Sequence, residues 1–409
     1  MLQHLIEEWL ARLNHGYALE PGRLGAAAGR LGIPGKQLPA AVAYSEDRYR
    51  FGRVVSRVGL GLSLGFIVIG GLGWAERLAQ SVAGRAGTIA VGLVFFAVLG
   101  LLGTLADLPF EAWQTFVIEQ RHGFNRQSPR GFVHDRLKGM ALGIALGAPL
   151  LAALIWTIEA TGRWWWLVAW ALVSGFSLLT AWLYPTLLAP LFNRFTPLPA
   201  GELGDAIARL AERVGFKSRG VAVMDASRRS THGNAYFTGV FGARRIVLFD
   251  TLLEGLTVPE IVAVLAHELG HFKLHHVRWA VVRSVLHTGL LFWLMSVALP
   301  WSPVYRAFHL AHSPHAALVA FGLWLGLLEF LLLPLQSALS RRHEFAADAF
   351  ALAAGARADD LSQALLKLRE KSRLLPFSHP LYSRVYHSHP PLVERLAALR
   401  PTVQGSEAS

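Results

Sequence analysis

Apolar positions along the chain follow two patterns. Long unbroken runs occupy residues 58–75, 88–108, 140–158, 164–185, 284–300 and 316–338. A bilayer core takes about 20 apolar residues of helix, so these six stretches read as transmembrane helices. The fifth is the shortest and carries His287. At the N-terminus the apolar residues instead recur at helical spacing, as Leu2, Leu5, Ile6, Trp9, Leu10 and Leu13. This predicts an amphipathic helix, lying on the membrane surface or, as the favoured reading, packing on the rest of the protein. Glu7 and Glu8 stand where a signal peptide would have its apolar core, so the segment is not read as one.

The chain between the fourth and fifth runs, 186–283, reads as a soluble insert. An amphipathic helix begins near Gly201, and VAVMDAS and NAYFTGVFGARRIVLFD read as short strands with a turn at Phe241-Gly242-Ala243-Arg244. VPEIVAVLAHELGHFKLHH follows as a long helix with Pro259 in its first turn. The tail is helical over 341–400 with a break around Pro376–Pro391, and TVQGSEAS at the end reads as disordered. The expected organisation is an N-terminal segment 1–57, four spans within 58–188, a catalytic segment 189–283, two spans within 284–340, and a C-terminal helical segment 341–409.

Composition agrees with a membrane protein: 53% of residues are hydrophobic and 16% charged, against about a quarter charged in soluble domains. Trp is abundant at 13 residues, and several lie at the ends of apolar runs, as in an interfacial belt. The formal net charge of +12 does not signal nucleic acid, because the excess Lys and Arg lie in loops and no basic stripe or nucleic-acid motif accompanies them. Those loops alternate. The segments before the first run, between the second and third, over 186–283 and at Arg341-Arg342 are basic, and the others are poor. The asymmetry places both termini and 186–283 in the cytoplasm. With no cysteine, any metal must be held by His, Asp or Glu.

Such a site is written in His267-Glu268-Leu269-Gly270-His271. Positions i and i+4 share a helix face, so the two imidazoles can meet one metal while Glu268 reaches its water as general base. A chance occurrence of the motif on an ordinary helix is the plain alternative. Catalytic zinc takes three protein ligands and an open position. Ser340-Arg341-Arg342-His343-Glu344-Phe345-Ala346-Ala347-Asp348, directly after the last span, supplies Glu344 as third ligand and Asp348 as a carboxylate for a histidine's other ring nitrogen. A solvated charged face is the alternative there. His275 and His276 read as outer-wall or interfacial residues. His309, His312 and His315 fall on the opposite side of the membrane, and Glu329, costly in lipid, should face the bundle interior.

Further blocks carry a resemblance. They are Thr115-Phe116-Val117-Ile118-Glu119-Gln120-Arg121-His122-Gly123-Phe124-Asn125, Tyr184-Pro185, Ala189-Pro190-Leu191-Phe192-Asn193, Phe195-Thr196-Pro197-Leu198, Arg229-Ser230, Gly233-Asn234-Ala235-Tyr236-Phe237, and His389-Pro390-Pro391 with Glu394-Arg395. With the two metal motifs they resemble the type I CAAX prenyl protease family of integral-membrane zinc metalloproteases. The resemblance implies a mainly α, polytopic membrane fold of about six helices enclosing a chamber, plus a small zincin-like α/β catalytic segment. It implies one zinc per chain, with Asn234 holding substrate backbone along an edge strand. It places His389 and Arg395 near the zinc as oxyanion stabilisers. Expected partners are the bilayer and a peptide substrate, prenylated or membrane-associated. Eukaryotic members begin with a further span where this chain has its short charged helix, which implies a more open chamber. The Ala-, Leu- and Arg-rich character suits a bacterial inner membrane, where the substrate would be an unmodified or membrane-stalled polypeptide. Two other readings stay open: a heat-shock-type membrane quality-control zinc protease, and a non-catalytic membrane chamber or scaffold.

Overall fold

The structure is a computed structural model and describes residues 1–218, 220–238 and 245–399. The expected turn at Phe241-Gly242-Ala243-Arg244 and the terminal TVQGSEAS lie outside the described residues. In hydrocarbon every backbone N–H and C=O must be paired within the segment, so the apolar runs form helices. Among the described residues, six are long and apolar enough to cross a membrane: Gly35–Val68, Thr88–Glu119, Pro129–Ala160, Gly162–Leu191, His276–Ala298 and Pro314–Ala353. Their outer faces leave Leu101, Leu105, Ile144, Leu286, Leu331 and Leu335 exposed, as lipid-facing positions require.

The first three helices are α1 (Leu2–Ala18), α2 (Pro21–Leu31) and α3 (Leu38–Val68). The expected span 58–75 does not survive as one element. The chain leaves the helix at Gly70, whose φ of +75° is left-handed, and restarts as α4 (Gly71–Ala83). Gly tolerates that conformation where a branched residue would not. The first crossing helix therefore ends at Val68, and α4 buries Leu72, Ala75 and Ala79. Next come α5 (Thr88–Trp113), α6 (Pro129–Ala160) and α7 (Trp165–Leu183). A π-helical stretch, Gln114–Glu119, prolongs α5 into the expected loop and brings Glu119 within 2.8 Å of the Tyr44 hydroxyl. Helix α1 packs on the flank of α3, where Glu8 pairs with Arg57 at 2.8 Å. Its Leu10 and Ala18 are buried, while Leu2, Leu5 and Trp9 stay exposed.

The insert holds β1 (Phe195–Pro197), α8 (Glu202–Arg213), β2 (Val221–Met224), β3 (Ala235–Thr238), β4 (Arg245–Phe249), α9 (Asp250–Leu253) and α10 (Val258–Lys273). The strands form one sheet in the order β1-β2-β4-β3. β2 runs parallel to β4, with Val221 opposite Ile246, and the two outer pairs are antiparallel. β3 is thus an edge strand. Ile207 and Leu210 of α8, Ile246 and Leu248 of β4, and Leu265 and Leu269 of α10 share one buried core.

The chain returns to the membrane as α11 (His276–Ala298), passes α12 (Ser302–Arg306), and crosses again as α13 (Pro314–Ala353). The run expected at 316–338 is only the first part of this 40-residue helix, which carries on through Glu344 and Asp348. At its start, His315 is buried 3.3 Å from Glu76 of α4. At about 1.5 Å per residue, His315 lies ~44 Å along the helix from Glu344 and cannot join its site. Glu329 meets His287 of α11 at 3.2 Å. The tail forms α14 (Ala358–Lys371), α15 (Pro380–Tyr386) and α16 (Leu392–Leu399), and α16 adds Leu396 and Leu399 to the core beside α10.

Two local features set α10. A capping box between Thr257 and Glu260 closes its N-terminus, a device worth about 1 kcal/mol. Near its end, Gly270 crosses α13 so closely that a Cβ would lie 3.0 Å from the Ala347 Cα and 3.1 Å from its carbonyl oxygen. Gly270→Ala gains about 1 kcal/mol of helix propensity but forces two backbones apart, and the steric effect wins by about 1–3 kcal/mol. The variant is expected to melt lower than the parent in detergent and to hold its metal more weakly; unchanged melting and metal content would refute the close crossing.

Candidate metal centre

Helix geometry puts His267 and His271 one turn apart, on the face of α10 turned to α13. The missing side chain at Gly270 lets α13 approach, and α13 brings Glu344 to the same point. Donor atoms of His267, His271 and Glu344 all lie within 4.8 Å of one another. The pairwise distances are 3.2 Å between the two Nε2 atoms, 3.3 Å from His271 Nε2 to Glu344 Oε1, and 3.6 Å from His267 Nε2 to Glu344 Oε2. Bonds of about 2.0–2.1 Å at tetrahedral angles put donors about 3.3 Å apart. The triangle therefore already has the size a tetrahedral zinc needs, and its nitrogen and carboxylate donors suit that metal. His267 and Glu344 are buried, whereas His271 and Glu268 are half-open. Burial pushes the Glu268 carboxyl above its ordinary range, as befits a proton acceptor next to the centre.

Behind His267 the support is dense. Its Nδ1 lies 2.8 Å from Asp348 Oδ1. Arg395 donates from Nε to Asp348 Oδ2 at 2.9 Å and from Nη2 to Oδ1. Its remaining nitrogen, Nη1, is 3.5 Å from Glu344 Oε2. Arg395 is thus buried behind the His267 ring, paired with Asp348 and reaching to 3.5 Å from Glu344. His389 does stand at the mouth: its side chain is 68% exposed and its Nδ1 is 2.8 Å from Glu344 Oε2, though off the line of a hydrogen bond. The Glu344 carboxylate raises the His389 pKa above the usual imidazole range.

His276 was not foreseen. Its Nδ1 lies 3.1 Å from His271 Nδ1, and its ring stacks on His343 with centroids 4.0 Å apart. On an unbroken helix, five residues turn about 140° and would point His276 away from His271. The helix is broken at His275, whose φ of +60° starts α11 in a new direction and folds His276 back. His275 itself is exposed, with Nδ1 2.7 Å from the Lys273 carbonyl. The adjacent histidines were the visible signal; the break was not.

Asn234 sits at the start of the edge strand. Its carbonyl accepts from Phe249 N at 3.0 Å, and its side-chain oxygen accepts from Ala235 N at 2.8 Å. Arg229 is not part of a strand. It ties this region to α6 by pairing with Asp135 at 2.8 Å, and it donates to the Phe192 carbonyl at 2.7 Å.

Comparison with known proteins extends the likeness beyond this centre. The family model "CAAX prenyl protease N-terminal, five membrane helices" matches residues 32–194, and that of peptidase family M48 matches 197–403. The CAAX prenyl protease 1 homolog of Arabidopsis thaliana is 38% identical over 370 residues, covering 87% of this chain and 86% of that protein. CAAX prenyl protease 1 of Saccharomyces cerevisiae is 37% identical over 331 residues, 76% of this chain and 72% of its own. The crystal structure of S. mikatae Ste24p superposes with a TM-score of 0.91 at 32% identity, covering 97% of this chain and 96% of that one. The likeness runs through membrane helices and peptidase segment alike, so it is more than a shared metal motif: the chain belongs to the CAAX prenyl protease 1 family and is a multi-pass membrane metalloendopeptidase.

Proposed function

We propose that the centre holds one zinc ion per chain on His267, His271 and Glu344, and that it cuts extended peptides presented from the membrane. The observation that carries this reading is the donor triangle of 3.2, 3.3 and 3.6 Å, close to the edges of a zinc tetrahedron. When bound, zinc supplies a Lewis acid for the scissile carbonyl and lowers the pKa of water held on it. Glu268 takes the proton of the attacking water and delivers it to the leaving nitrogen. His389, whose pKa Glu344 raises, faces the developing oxyanion. Arg395 acts one step back, fixing Asp348, which orients His267. His271 has its Nε2 toward the metal, so its Nδ1–H donates to His276 Nδ1 and fixes the tautomer. Substrate backbone adds to the free edge of β3 beside Asn234.

The Lys/Arg asymmetry favours a cytoplasmic active site in a bacterial inner membrane. There the substrate is a membrane-associated polypeptide, prenylated or bare. The names of the relatives favour a CAAX-type substrate, and the heat-shock-type quality-control reading predicts cleavage of misfolded membrane proteins instead.

Glu268→Gln is expected to keep stoichiometric zinc and lose cleavage of a farnesylated CAAX peptide; full activity in that variant would refute the mechanism. Zinc without cleavage in the parent protein would turn the search to unprenylated substrates. Asp348→Ala and His276→Ala should each weaken zinc binding about 10–100-fold in chelator competition, with His276→Asn partly restoring it. His389→Ala should keep zinc while lowering kcat by about 10²–10³-fold, and an unchanged kcat would remove it from the oxyanion role.

A further inference from the structure

His389 faces the mouth of the metal centre from a segment with no regular structure of its own. Residues 387–391 lie between α15 and α16, and neither helix extends into them. The His389 side chain is 68% exposed, so packing does not hold it in place. Pro390 and Pro391 bring no backbone N–H to tie the loop down. A loop of this kind is ordinarily mobile, yet a group that meets a transition state must stand within about 0.5 Å of its working place. The hold on His389 must come from outside the loop.

It comes from α13. Arg341 Nη1 donates to the Ser383 carbonyl at 2.8 Å and to the His387 carbonyl at 2.9 Å, with the Arg384 carbonyl at 3.4 Å. Ser337 Oγ, one turn earlier on α13, donates to the Val385 carbonyl at 2.8 Å. The last carbonyls of a helix have no partner within it, and α13 supplies partners at the end of α15. The bond to His387 carries the clamp past that helix, to two residues before His389. At the loop's other end, Arg395 of α16 is bound to Asp348 of the same α13. Ser337, Arg341, Glu344 and Asp348 are spaced by four, three and four residues, so they share one helix face. That face sets the carboxylate of the metal triangle and both ends of the loop that carries His389.

The Arg341 charge is directed at carbonyl oxygens, in bonds stronger than those between neutral groups. Its neighbour Arg342 is exposed and bonds to none of these carbonyls. We infer that Arg341 is a positioning residue for the hydrolytic step, holding the 387–391 loop so that His389 stays 2.8 Å from Glu344 and turned to the mouth of the centre. The inference rests on the peptidase reading above. Releasing the clamp lets His389 drift, while β3 still takes the substrate and the metal triangle, which Arg341 does not touch, stays intact.

The test compares the zinc-loaded parent with Arg341→Gln, Arg341→Lys, Arg342→Gln and His389→Ala in detergent, on the farnesylated CAAX peptide. Arg341→Gln is expected to keep stoichiometric zinc and the parent KM and to lose about 10–100-fold in kcat, the effect of a small misplacement. Arg341→Lys, which still donates to a carbonyl, should recover part of that loss. Arg342→Gln makes the same change of charge one residue on and should match the parent. The double variant decides between positioning and mere stability. With Arg341 acting through His389, adding Arg341→Gln to His389→Ala lowers kcat by less than about threefold more, whereas independent losses multiply. Hydrogen exchange, which needs no turnover, should open the His387 amide, bonded to the Ser383 carbonyl at 3.1 Å, about tenfold faster in Arg341→Gln and leave α10 as it was. Multiplying losses, an unchanged kcat in Arg341→Gln, an equal loss in Arg342→Gln or unchanged exchange would each overturn the inference. If Arg341→Gln does not fold, Ser337→Ala removes the Val385 bond alone and meets the same double-variant criterion with a smaller loss. A parent that cuts no peptide, or a His389→Ala chain with full kcat, refutes the reading above and this inference with it. A loss in His389→Ala beside an unaffected Arg341→Gln refutes only the clamp.

Discussion

Everything in this protein hangs on the contact between α10 and α13 at Gly270 and Ala347. One helix belongs to the soluble insert and brings two histidines; the other crosses the membrane and brings the glutamate. Neither holds a metal alone. The crossing is close because a glycine faces an alanine: a Cβ added at Gly270 would lie 3.0 Å from the Ala347 Cα, tighter than ordinary contact. The sheet, the capping box and the C-terminal helices all press on α10 from behind and hold it in that position.

The charges around the crossing follow from its burial. Glu344 and Asp348 are both nearly inaccessible, and two carboxylates one helical turn apart in a dry place repel each other unless each has a cation. Asp348 has Arg395; Glu344 has His389 at one side and the metal position at the other. The buried guanidinium holds Asp348 against His267 and lies 3.5 Å from Glu344. Positive charge is then supplied from two directions, one structural and one facing the mouth.

Much of this was legible in the chain itself. HExxH on an apolar helix and a Glu and Asp four residues apart after the last span give spacing-based geometry, and spacing is what a sequence records well. The apolar runs gave six crossing helices for the same reason. What escaped depends on backbone direction. The run 58–75 looked continuous because Gly70 and Gly71 do not interrupt hydropathy, yet a left-handed φ at Gly70 divides it. His276 read as an outer-wall or interfacial residue because the break at His275 is invisible to periodicity. The pairing of Arg395 with Asp348 joins residues 47 positions apart, and packing rather than spacing decides it.

Helix α13 deserves a last consequence. It is 40 residues long, about 60 Å at 1.5 Å per residue, twice the ~30 Å hydrocarbon thickness. The same rod that is gripped by lipid along its first part carries Glu344 near its other end. The height of that carboxylate above the bilayer is therefore set by the helix itself, and the membrane acts as the ruler. A thicker or thinner bilayer that changes the tilt of α13 moves Glu344 together with α10, which is packed against it at Gly270 and Ala347.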